Sequence, residues 1–174
     1  SLFAVRLGTV PVLLLALTTG ITLSLGLGYV FVLKALLVFG VGSLLLVPPL
    51  LREHPFSHFG PANGVTLIRG MLTAAMAGFL GETATPATLY AIVALGLISL
   101  ILDGIDGRLA RLSGTASPFG ARFDMEADAL LVLLFSVLAS SFDKAGPWVI
   151  LSGLLRYLFL AAGWFLPWMR VALP

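Results

Sequence analysis

From Val10 to Leu51 the only charged side chain is Lys34. At about 20 residues per span, that run is long enough for two membrane helices. The rest of the chain has the same character: 59% of its residues are hydrophobic and 10% are charged, far from the balance of a soluble domain. Lipid then takes the place of a large buried core. Breaks in the apolar pattern divide the chain into about six expected transmembrane helices, an all-α polytopic bundle forming a single membrane domain. A turn near Gly26 to Tyr29 separates the first two helices, and Lys34 is expected to snorkel at the outer surface of the second. Pro48-Pro49 is expected to end this N-terminal hairpin, residues 10–51.

An interfacial segment, 52–62, follows with His54, Phe56, His58 and Phe59, a composition suited to a headgroup boundary. The two histidines are expected to be polar anchors there. The remaining helices are expected from residue 63, from Pro86 to Leu112 behind a Thr85-Pro86 cap, from Ser117-Pro118 to about Ser141, and from Trp148 to about Trp168. With serine at position 1, the chain is expected to lack its native first residue, and its first apolar stretch runs on too far for a cleavable signal. It has no cysteine, which excludes disulfides and leaves the compartment open. A net charge of +2 is too small to argue for nucleic acid.

Against this apolar background, five of the eight acidic residues fall between Asp103 and Asp128. On a helix, Asp103, Asp106, Gly107, Ala110 and Arg111 share one stripe, and after a turn Gly120, Asp124 and Asp128 follow in steps of four on another. Four carboxylates are thereby expected to converge across one helical hairpin. Like charges in a poorly hydrated place repel unless cations neutralise them, and all-oxygen ligands favour magnesium, manganese or calcium. Residues without bulk at Gly107, Ala110 and Gly120 leave clearance for a flat ligand or a close helix. Acids, metal and clearance together point to a phosphate ester. An EF-hand loop fits worse, because Ile105 stands where an oxygen ligand is required.

The spacing Asp-x2-Asp-Gly-x2-Ala-Arg-x8-Gly-x3-Asp-x3-Asp, met by Asp103, Asp106, Gly107, Ala110, Arg111, Gly120, Asp124 and Asp128, resembles the signature of the CDP-alcohol phosphotransferases, also called CDP-alcohol phosphatidyltransferases. Pro61-Ala62-Asn63 with Thr66 and Arg69 resembles the start of that family's first core helix, so that 63–168 would be the core. The resemblance implies metal-dependent transfer of a phosphatidyl or substituted phosphoryl group from a CDP-alcohol, with CDP-diacylglycerol the expected donor, to an acceptor hydroxyl. CMP is released, and the setting is phospholipid synthesis. It implies two divalent ions, Mg2+ or Mn2+, on Asp103, Asp106, Asp124 and Asp128, with Asp128 also the general base. Asn63, Thr66, Gly107, Ala110, Arg111 and Gly120 would hold the nucleotide. A homodimer is implied as well. The family core usually has two more helices after 148–168, and the expectation here is that the hairpin at 10–51 replaces them as a wall of the cleft in a permuted arrangement.

Two other classes use acids in such a setting. A cation-coupled transporter should show inverted repeats and broken helices, and a metal-dependent prenyl-chain transferase should show tighter acidic clusters without the Gly and Ala spacing. Release of CMP from a CDP-alcohol discriminates among the three. Arg122 and Glu126, four apart, are expected to pair with each other. Arg156, in mid-helix with no acid near it in sequence, is expected to face the bundle interior, where an acceptor phosphate or headgroup is one partner. Arg6, Arg52, Arg108, Arg111, Arg122 and Arg170 fall at one set of helix ends and Lys34 and Lys144 at the other. The positive-inside rule then puts both termini and the site on the cytoplasmic side, in a bacterial cytoplasmic membrane.

Overall fold

The computed structural model describes the backbone of residues 2–53, 60–112 and 117–166 and the side chains of 9–45, 60–109, 112 and 117–166. His54, Phe56, His58, Phe59, Trp168 and Arg170 lie outside the described residues, as do the side chains of Arg6, Arg52, Ala110 and Arg111. Within them every regular element is helical: α1 (Leu2–Leu25), α2 (Tyr29–Glu53), α3 (Pro61–Ala77), α4 (Pro86–Leu112), α5 (Pro118–Ser141) and α6 (Ile150–Phe165), the last entered through one 3-10 turn at Pro147–Val149.

Local chemistry explains most of these limits. Gly26 has φ 66, the left-handed conformation that glycine takes without penalty, and it lets α1 turn into α2. The start of α4 is a reciprocal threonine pair, in which the Thr88 amide donates to Thr85 Oγ1 at 3.2 Å and the Thr85 amide to Thr88 Oγ1 at 2.9 Å. Ser117 caps α5 by accepting from the Gly120 amide at 3.0 Å, with Pro118 in the first turn. The expected end at Pro48-Pro49 is overturned, because α2 continues to Glu53. Two prolines remove two donors from one turn. The helical bonds on either side carry the backbone through them.

Pro86–Leu109 and Pro147–Phe165 are long and apolar enough to cross a membrane, and shorter apolar helices span Thr9–Leu25 and Tyr29–Leu45. Only 28% and 11% of the two longer segments are buried inside the protein, whereas the core helix of a soluble protein is mostly buried. Val93, Leu97, Leu100 and Ile101 on α4 and Leu151, Leu155, Leu158 and Phe159 on α6 face outward. An exterior that apolar matches lipid better than water.

The inside of the bundle is α3, which packs against α1, α2, α4 and α5. Its C-terminal stretch, Met71 to Ala77, is buried throughout, and the small residues Ala74, Ala75 and Ala77 let neighbours come close. At its end a Cβ on Gly78 would lie 2.6 Å from the Phe31 ring of α2, and Phe31 meets Phe79 edge to face at 4.8 Å. The hairpin is therefore seated on α3. That goes against the permuted arrangement: among the described residues α1 and α2 lie along α3 and α2 also touches α5, and neither packs extensively on α4 or α6. Lys34 does not snorkel outward either. It donates to Glu82 Oε1 at 2.8 Å and to the Leu80 carbonyl at 2.5 Å, tying α2 to the connection between α3 and α4. Pairing with an acid within reach relieves the cost of keeping an ammonium near lipid.

Candidate active site: four carboxylates around a buried arginine

The fold decides how the two halves of the acidic motif meet. Asp103 and Asp106 are on α4 and Asp124 and Asp128 on α5, yet these helices pack on α3 far more than on each other. One close approach between them is Gly96, where a Cβ would fall 2.0 Å from the Phe135 ring. The carboxylates thus converge on a side chain of α3.

That side chain is Arg69, only 2% exposed. Its Nη1 donates to Asp106 Oδ2 at 2.8 Å and to Asp124 Oδ1 at 2.5 Å, and its Nη2 lies 2.9 Å from Asp103 Oδ1 and also pairs with Asp128 Oδ1. A buried guanidinium with no partner would be strongly destabilising, and four carboxylates in one place would repel each other. Each problem answers the other. The balance is uneven, since four negative charges face one positive charge. Asp106 is sealed, with 4% of its side chain exposed, whereas Asp103, Asp124 and Asp128 keep 37%, 39% and 48%. Three of the four therefore remain reachable from outside.

The residues expected to hold a nucleotide divide into two sets. Thr66, buried, donates to Asp106 Oδ2 at 3.0 Å, one turn of α3 before Arg69. Asn63, also buried, lies against Gly120: a Cβ there would come within 2.9 Å of Asn63 Oδ1. Asn63, Thr66 and Gly120 are thus gathered at the same end as the acids. Gly107 directly follows Asp106 on α4, and the side chains of Ala110 and Arg111 lie outside the described residues.

Whether this donor set suits a divalent ion follows from its chemistry. Oxygens of Asp103, Asp106 and Asp124 all lie within 4.8 Å of one another, all are hard ligands, and a cation already sits among them in the form of Arg69. The set fits magnesium or manganese, with Asp128 beside it. Arg69 is the site residue that the motif did not contain. A signal for it existed, because Asn63, Thr66 and Arg69 recur at three-residue steps on one helix, close to a single stripe.

Asp128 faces a second space as well. A groove of about 320 Å³ between α5 and α6 is lined by Asp128, Met125, Val132, Ser152, Leu155 and Arg156. Its walls are mostly apolar, with Asp128, Ser152 and Arg156 as the polar groups. The helices meet closely behind it, where a Cβ on Gly153 would lie 2.5 Å from Leu133 Cα. Ser136 and Ser152 share a hydrogen bond at 3.1 Å. Glu126, expected to pair with Arg122, is instead held by Arg156, whose Nε donates to Oε1 at 3.2 Å and whose Nη2 also pairs with that oxygen. Arg156 comes from α6, far in sequence, so helix spacing could not show the partner.

A family model described as CDP-alcohol phosphatidyltransferase matches residues 59–172. The CDP-diacylglycerol–serine O-phosphatidyltransferases of two Helicobacter pylori strains are each 58% identical to this chain over 36 residues, which is 21% of the chain and 15% of the relative. The matched stretch is thus a small part of either relative's length. No solved structure matches.

Proposed function

This chain belongs to the CDP-alcohol phosphatidyltransferase family, and we propose that it transfers a phosphatidyl or substituted phosphoryl group from a CDP-alcohol to an acceptor hydroxyl, releasing CMP. CDP-diacylglycerol is the proposed donor, since the Helicobacter pylori relatives are named for it and this chain's exterior is built for lipid. The observation that carries the reading is the position of Asp128, which borders both the carboxylate cluster and the open groove between α5 and α6.

Asp103, Asp106 and Asp124 would hold divalent metal, Mg2+ or Mn2+ and two ions at full occupancy, with Asp128 shared between metal and acceptor. When bound, such ions neutralise the donor's pyrophosphate and stabilise departing CMP. The protein's own part is placement. Asn63, Thr66, Gly107, Ala110, Arg111 and Gly120 would seat the nucleotide, and the clearance at Gly120 keeps Asn63 where it stands. An acceptor in the groove would bring its hydroxyl to Asp128, whose carboxylate takes the proton as the new oxygen–phosphorus bond forms. The bond from phosphorus to CMP breaks in the same exchange, so charge and atoms balance.

The test is CMP release by the purified protein in detergent, with CDP-diacylglycerol, magnesium or manganese, and a panel of acceptors. Asp103→Asn, Asp106→Asn and Asp124→Asn are each expected to lower turnover by about a hundredfold or more, as loss of a charge-stabilising group does, without loss of the folded state. Turnover at the wild-type level in any of the three would remove that residue from the metal's ligands. Gradient-driven cation transport without CMP release would replace the reading with that of a transporter.

A further inference from the structure

Among the described residues, Arg69 meets all four motif carboxylates, and it does so from a helix outside the acidic motif. Its fit there is incomplete: Nη1 and Nη2 are fully engaged, whereas Nε is buried and finds no acceptor among the described residues. A site shaped for arginine would satisfy that donor, because a buried unpaired N–H is costly. The oxygens that Arg69 holds on Asp103, Asp106 and Asp124 belong to the three carboxylates that could grip one ion. A divalent ion binds carboxylate oxygen at about 2.0–2.1 Å for magnesium. An ion on these oxygens would therefore stand against the guanidinium N–H groups, cation against cation.

We propose that Arg69 is an internal counter-ion that occupies the metal position in the metal-free protein, so that metal binding and the Arg69 ion pairs compete. The proposal rests on the metal reading given above and adds to it a cost of loading: the guanidinium must let go of Asp106 and Asp124 before an ion is held by them. The metal-free bundle is thereby kept from opening under the repulsion of four acids on α4 and α5. Freed from those acids, Arg69 stays at the site's inner wall on α3, beside Thr66.

Arg69→Gln removes the competitor and Arg69→Lys keeps the charge but loses the fork that reaches four partners at once. Mn2+ binding to the full chain in detergent is measured by the loss of the free-ion paramagnetic resonance signal, alongside thermal unfolding with and without Mn2+. For Arg69→Gln the expected result is Mn2+ affinity about tenfold or more above wild type, equal to about 1.4 kcal/mol per decade. Its unfolding midpoint should be lower without metal, and Mn2+ should raise it further than it raises that of the wild type. Arg69→Lys should fall between the two. Unchanged or weaker affinity in folded Arg69→Gln would overturn the proposal and make Arg69 a group that helps position the ligands. If Arg69→Gln does not fold even with Mn2+, Arg69→Lys decides by the same comparison, tighter binding supporting the competition and unchanged or weaker binding ending it. Absence of Mn2+ binding in the wild type and both variants would defeat the metal reading itself, a separate outcome.

Discussion

Gly120 shows how a single missing methyl group is used. It stands in the first turn of α5, its amide bound to Ser117, and a Cβ there would press on Asn63 Oδ1 at 2.9 Å and on Ser117 Oγ at 3.3 Å. Asn63 Oδ1 is a side-chain end that can turn aside, and Ser117 Oγ need shift only slightly while keeping its cap, so Gly120→Ala is expected to change stability by less than about 1 kcal/mol. What it should lose is the seat of Asn63. Binding of the CDP-alcohol is expected to weaken about tenfold or more, measured by equilibrium binding beside an unfolding curve; unchanged binding would leave Gly120 with a capping role alone. At this scale the acids were legible in the sequence because their spacing is a property of one short stretch on each of two helices. Arg69 was legible only as a cation in step with Asn63 and Thr66; its four partners were not, because they depend on α3 lying between α4 and α5, which no local pattern states. The partner of Glu126 escaped for the same reason: Arg156 is 30 residues away in the chain.

The limits of α4 and α5 agree with those read from Thr85-Pro86, Leu112, Ser117-Pro118 and Ser141, because caps and prolines act on a few neighbouring bonds. Pro48-Pro49 misled, since a proline removes one donor and the helical bonds on either side can carry the turn to Glu53. The element that the sequence could not rank is α3, whose chain reads as one span among several and whose packing makes it the hub. Helix α5 has divided duties: Asp124 and Asp128 reach Arg69 of α3, while Glu126 and Leu133 meet α6. The last contact is the tightest to backbone, since a Cβ on Gly153 would lie 2.5 Å from Leu133 Cα and 3.1 Å from its nitrogen. Glycine in mid-helix costs about 1 kcal/mol against alanine, and relieving it here would force two backbones apart. Overpacking of that kind costs about 1–3 kcal/mol. Gly153→Val is thus expected to destabilise the protein in detergent and to widen the groove at Asp128. Its CMP release should fall while Mn2+ binding at the acids is kept, and an unfolding midpoint at or above wild type would show that α6 has slack at this position.

At the scale of the whole molecule, the arrangement fixes which helix ends lie together. Lys34 bonds to Glu82, so the turn between α1 and α2 stands at the same end as the connection from α3 to α4. Alternation of direction from α4 to α5 puts the connection carrying Lys144 there too, and the acids of α4 and α5 lie toward the other end. Arg108 and Arg122 flank those acids, and Arg6, Arg52, Arg111 and Arg170 fall by sequence at the same set of ends, against Lys34 and Lys144 opposite. An asymmetry that large sets orientation in the membrane. We therefore place the active-site end in the cytoplasm, as a proposal that the chain's lack of cysteine makes simple to test. Thr83→Cys and Lys144→Cys put exposed thiols at the far end, and Leu112→Cys puts one at the active-site end, where Leu112 is 86% exposed. With a membrane-impermeant maleimide on intact bacterial cells, the first two are expected to react and the third to react only after permeabilisation. The reverse pattern would turn the bundle over. Equal reaction of all three before permeabilisation would mean that the two long apolar segments do not cross a membrane, and the lipid-facing reading of their exposed leucines and phenylalanines would fall with them.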